Sequence, residues 1–181
     1  AEGRLRHPGF RKMEFSTLSV RLVHDLMPSI ESGSPVAVSY PISNVDRSIG
    51  ARVSGEIAAR HGDAGLPEGT IDIRLSGIAG QSFGAWLSKG VCLRLNGTAN
   101  DYIGKGLGGG RIIIRPRATA EGSPQAGGNA VLYGATSGVA FIAGAVGQRF
   151  AVRNSGAIAV VEGVSDHVCE YMTGGIAVLL G

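Results

Sequence analysis

From Thr70 onward the chain is written in one form. Four to seven β-prone residues end in a turn residue, usually glycine, a few small residues follow, and the next such segment begins. Residues 70–77, 91–97, 110–116, 130–134, 139–144, 149–156, 157–163 and 175–181 all read this way. Pieces this short cannot bury an apolar face alone, but stacked on one another they share a core. The steps between them are nearly constant: Leu95 to Ile113 and Ala159 to Ala177 are equal steps, and Ile113 to Leu132 is longer by a single position. Rungs of about 18–22 residues with tight glycine corners predict an all-β protein, a parallel β-helix or β-solenoid. A β-sandwich or propeller is the second architecture, disfavoured by such short strands and such glycine-rich turns.

The first part of the chain differs. Residues 1–15 are basic and weakly patterned, and read as a loose arm. Leu18, Leu22 and Leu26 space out as on a short amphipathic helix, which Ser16 or Thr17 would cap and Pro28 with residues 31–35 would end. The expected division is therefore residues 1–35, an arm with a short helical appendage, and residues 36–181, the glycine-rich domain. Within the latter, residues 36–40 predict a strand stopped by Pro41. Residues 50–60 suit either a strand or a helix, with a short helix over 54–61 preferred. Residues 117–128, rich in Ala, Gly, Ser and Pro, predict a long loop.

Thirty of 181 residues are glycine, yet 44% are hydrophobic and glycine has no strict period of three, which excludes both disorder and collagen. No apolar run is long enough for a membrane span, and no apolar stretch follows the basic start, so neither a membrane nor a signal peptide is expected. Cys92 and Cys169 lie far apart in apolar surroundings and read as reduced and buried, which places the chain in the cytoplasm. The net charge of +3 comes from scattered arginines, and no nucleic-acid surface is expected.

The string from Gly104 to Gly110 is the most conspicuous candidate for chemistry. Its spacing is neither that of a dinucleotide fingerprint nor that of a P-loop. A phosphate-binding nest of backbone N–H groups and a set of tight corners remain, and the corners are preferred. Asn100 and Asp101 before the string, and Asn154 with Gly156 later, are expected to shape turns through side-chain bonds to backbone. Asp166, His167, Cys169 and Glu170 form the only dense polar cluster, with too few ligands for zinc and no orienting third group for a nucleophile. Glu162 and Glu170 are candidates to pair with Arg149 or Arg153. No catalytic, cofactor-binding or metal-binding residue is expected.

Residues 100–110, 133–138, 149–156, 161–164 and 169–175, in that order, resemble the C-terminal G-x-G-x-G domain of the large (alpha) subunit of glutamate synthase. The resemblance extends upstream through Tyr40-Pro41-Ile42, Asn44, Asp46-Arg47, residues 50–52, residues 54–57 and residues 79–85, and covers about residues 18–181. A related domain of formylmethanofuran dehydrogenase is less similar. The resemblance implies a single-stranded, right-handed β-helix without catalytic residues, whose structural corners are Asn100, Asp101, Gly104, Gly106, Gly108, Asn154, Gly156, Gly174 and Gly175. It implies a bracing role between a glutaminase and an FMN-binding synthase domain joined by an ammonia tunnel. FMN and an iron–sulfur cluster would belong to the full enzyme and not to this chain. The implied partners are the remaining domains of the large subunit and the small subunit. The strand ending at Gly181 is expected to leave an unpaired edge, as in a fragment, a partnered chain or a freestanding variant. The alternative reading is a freestanding β-solenoid that binds a protein partner.

Overall fold

The computed structural model describes residues 16–116 and 124–181. The N-terminal arm as far as residue 15, and residues 117–123 of the expected loop, lie outside the described residues.

Helix α1 spans Thr17–Ser32. Ser16 caps it: its hydroxyl accepts from the Ser19 amide at 3.2 Å and donates to Asp46 Oδ1 at 2.6 Å. Leu22, Leu26, Ser29 and Ile30 form the buried stripe, at helical spacing. The helix passes through Pro28 and ends instead at Gly33, whose φ of 72° closes the last turn. Pro28 and His24, the residue whose carbonyl loses its partner, are both exposed, so water can take the missing bond. Helix α2 spans Ala51–His61, earlier than the preferred sequence reading, and buries Val53, Ser54 and Ile57. A 3₁₀ turn, Gly62–Ala64, follows it.

Among the described residues seven strands form one sheet, every neighbouring pair parallel, in chain order. They are β1 (Val36–Ile42), β2 (Ile71–Ala79), β3 (Val91–Ala99), β4 (Gly108–Arg115), β5 (Ser137–Ala145), β6 (Ser155–Gly163) and β7 (Gly174–Leu179). This overturns the all-β, right-handed parallel β-helix expected from the sequence: the chain is an α/β fold, one parallel sheet with helices. Strand spacing reports only the step from one strand to the next, and that step is compatible with more than one architecture. The strand β1 continues through Pro41 because it is an edge strand, where proline's missing N–H costs no ladder bond. Residues 130–134 and most of 149–156, read as strands, are turns.

Register places apolar side chains in columns. Ile73, Leu93, Ile112, Ala140 and Ala159 follow one another across β2 to β6, all fully buried. Leu75, Leu95, Ile114, Ile142 and Val161 form a second column. Leu95 thus faces Ile114, not Ile113, and that one-residue step decides which side chain points inward. Burial of each leucine, isoleucine or valine among them contributes roughly 1.5–3 kcal/mol. The same core takes in Leu22, Leu26 and Ile30 of α1 and Val53 and Ile57 of α2.

Candidate functional site: the stacked turns

The links between strands carry the residues singled out by sequence. Five of them repeat one conformation, in which alternate residues have positive φ. These are Ser82, Gly84 and Trp86; Tyr102, Gly104 and Gly106; Ala130, Leu132 and Gly134; Arg149, Ala151 and Arg153; and His167, Cys169 and Tyr171. In the first four turns the outer two N–H groups donate to the following turn. Examples are Tyr102 to Asn129 O and Gly106 to Tyr133 O, both 2.9 Å. The middle N–H donates to the preceding turn, as Gly104 does to Phe83 O (2.8 Å) and Ala151 to Val131 O (2.8 Å). A left-handed non-glycine residue costs about 1–3 kcal/mol. In the first four turns each one orients an N–H onto a neighbouring turn, as Cys169 does in the fifth, so the lattice of bonds offsets the strain.

The glycine string runs from one turn of this stack into the first residues of β4. The amides of Gly104, Lys105, Gly106, Leu107, Gly108 and Gly110 all donate to backbone carbonyls. They therefore do not converge on an anion, and the nest reading is removed. A Cβ on Gly104 would stand 2.7 Å from Leu132 Cδ2, and one on Gly106 2.7 Å from Trp86 Cδ1. Gly108 differs: its φ is not in the left-handed region, and a Cβ would meet nothing closer than 3.9 Å. The Lys105 ammonium lies 5.8 Å from the Trp86 ring centroid and 5.4 Å from that of Tyr102.

Polar side chains run beside the stack. Asn100 Nδ2 donates to Asn44 Oδ1 (2.6 Å), Asp101 Oδ1 accepts from the Asn129 amide (2.7 Å), and Asn129 Oδ1 accepts from the Gln148 amide (2.9 Å). Asn154 is fully buried, and its Oδ1 accepts from the Gly156 and Ala157 amides. Gly156, Gly174 and Gly175 sit where a Cβ would press on Thr136 O, Ser155 O and Ala157 O of nearby backbone.

In the last turn His167 Nδ1 lies 3.1 Å from Glu170 Oε1. Among the described residues no ion pair joins Glu162 or Glu170 to Arg149 or Arg153, so that expected pairing is not formed. Burial pushes the thiols of Cys169 and Cys92 up. Among the described residues no group of three or more His, Cys, Asp or Glu is placed to hold a metal ion.

The sequence reading missed the outward face of β2 to β4. Asp72 accepts from Arg94 Nε at 2.8 Å and Arg74 Nε at 2.9 Å, and Glu68 pairs with Arg111. Asp72, Cys92, Arg94, Arg111, Gly110 and Gly138 border an open groove of about 700 Å³. The alternation of β2 already put Asp72 and Arg74 on one face. Arg94 joins them only through the register.

The model of the GXGXG motif family matches residues 19–181. The chain belongs to the GXGXG family. In its structure the family's string covers part of one turn of a stack and the start of β4, and the other turns use mostly other residues in the same backbone conformation. Over 170 residues the domain is 52% identical to the NADH glutamate synthase of Schizosaccharomyces pombe, covering 92% of this chain and 8% of that protein. It is 47% identical over 180 residues to the NADPH glutamate synthase large chain of Bacillus subtilis, covering 96% and 12%. It is 48% identical over 160 residues to the chloroplastic ferredoxin-dependent glutamate synthase 2 of Arabidopsis thaliana, covering 87% and 10%. The chain thus spans about a tenth of the length of these curated relatives. Among the described residues no helix is long and apolar enough to cross a membrane.

Proposed function

We propose that this chain is the GXGXG domain of a glutamate synthase large chain, acting there as a structural brace between the glutaminase and FMN-binding synthase domains. Identity of 47–52% to glutamate synthases over most of the chain supports the assignment. The observation that carries the structural role is the turn stack: the polar groups that first suggested chemistry are bonded into the architecture. The glycine-string amides bind neighbouring turns, and the Asn154 side chain binds local backbone.

An iron–sulfur cluster takes about four thiolates. This chain offers Cys92 in β3 and Cys169 in the last turn, so the donor set does not fit. We assign FMN and the cluster to other parts of the enzyme, and place the enzyme in the cytoplasm, where both free thiols stay reduced.

The intact mass of the native gene product tests the domain reading. A mass several times that of this chain supports it. A native product no heavier than this chain defeats it in favour of a freestanding binding module. In the long protein, Cys92→Ser and Cys169→Ser are expected to leave glutamate formation intact. Turnover lost on either change, with the fold retained, would refute the non-catalytic role.

A further inference from the structure

One outward row of the sheet changes character along its length. Register sets Arg74 beside Arg94, Arg94 beside Ile113, then Phe141, Val160 and Val178 on successive strands. In the next outward row Ile158 and Ile176 are neighbours. Phe141 is 43% exposed and Ile158 41%. Both lie on internal strands, so their exposure does not come from the sheet edge. Parallel sheets are ordinarily covered on both faces, and a contiguous apolar patch on one marks an interaction surface.

The charges beside the patch describe its partner. Two guanidiniums, Arg74 and Arg94, share the single carboxylate of Asp72. Arg115, two residues along β4 from Ile113, is exposed and has no ion pair among the described residues. A second copy docked face to face would set arginines against arginines, or against the apolar end at Val178, and among the described residues of this face would bring only the Glu162 carboxylate of β6 to meet three guanidiniums. The chain is 8–12% of the length of its relatives, so in a protein of that build most of the surface within reach is on the same polypeptide. Resting on the domain reading above, we infer that the Phe141-centred face docks another part of the same glutamate synthase chain. The docked surface is apolar and edged with carboxylates that meet Arg74, Arg94 and Arg115.

Photo-crosslinking from p-benzoylphenylalanine at position 141 of the full-length protein tests this, with exposed Ala59 on α2 as control. The expected result is a crosslink from 141 to an apolar, carboxylate-bearing segment of the same polypeptide outside residues 1–181, and none to that segment from position 59. Crosslinks that join two copies of residues 1–181, or no crosslink from 141 in folded protein, overturn the inference. Phe141→Glu in the full-length protein is expected to speed release of the domain by limited proteolysis while its own unfolding midpoint stays unchanged. An unchanged release rate also overturns it. A native product no heavier than this chain would defeat the domain reading itself, whereas a long protein with a silent position 141 defeats only the docking.

Discussion

The side-chain amide of Asn154 satisfies both backbone groups of Ala157: Oδ1 accepts from its N–H and Nδ2 donates to its carbonyl, each at 2.9 Å. The asparagine is fully buried, so neither group can turn to water instead. Asn154→Ala leaves buried donors and acceptors unpaired and is expected to cost about 3 kcal/mol. Asn154→Asp should also destabilise, because it replaces the donor with a buried charge. Urea unfolding midpoints measure both.

Three glycines, Gly104 and Gly108 of the string and Gly134 of the next turn, are not equivalent. Gly104→Ala places a methyl 2.7 Å from Leu132 Cδ2 in a left-handed residue and is expected to cost about 2–4 kcal/mol. Gly134, with φ of 62° but nothing within 4 Å of a Cβ, should lose only the left-handed preference on change to alanine, about 1 kcal/mol. Gly108→Ala, exposed and unstrained, should stay within about 0.5 kcal/mol. Equal losses at all three positions would contradict the stacked-turn account.

Acid should weaken the fold through Asp72. Partial burial pushes its carboxyl up, but hydrogen bonds from Arg94 and Arg74 outweigh this and hold it below the usual range. A depressed carboxylate adds stability above its unfolded pKa of about 3.9, and loses it as pH falls through the lower folded value. The urea midpoint is therefore expected to drop below about pH 4, and Asp72→Asn should make that drop shallower.

Helices α1 and α2 are tied together by His61, whose Nε2 donates to the Ile30 carbonyl at 2.6 Å. Since a carbonyl only accepts, this nitrogen carries the proton. His61→Ala should cost about 1 kcal/mol. It should also speed amide exchange in the last turn of α1, with exchange in β3 and β4 unchanged.

Both thiols should be slow nucleophiles. Burial raises Cys92 and Cys169, and the thiolate is the reacting form. Iodoacetamide at neutral pH is expected to label the native chain much more slowly than the urea-unfolded chain, with Cys92, the more buried, labelled last.

Much of the strand content was legible. The alternation over residues 70–77 marked β2, and the repeat of Ala159 at Ala177 matched a true register pair. The family too was legible in residues 100–110 and 149–156. The all-β solenoid was not correct, nor were strands over 130–134, because β propensity reports what a segment prefers in isolation. Leu132 and Ala151 take left-handed turns because their amides reach carbonyls on the preceding turn. No local pattern signals that. Arg94 likewise meets Asp72 only after register brings β2 and β3 together.

By itself, the sequence determined that short apolar segments must stack, roughly how far apart along the chain they stand, and which family the chain resembles. Side-chain period and glycine content act within a segment, so they can be read along the chain. The single parallel sheet, the pairing of Leu95 with Ile114, and the placing of the glycine string in one turn of a hydrogen-bonded stack and the start of β4 were decided only in the tertiary structure. Those features depend on backbone groups of residues distant in sequence, whose partners exist only once the strands are in place.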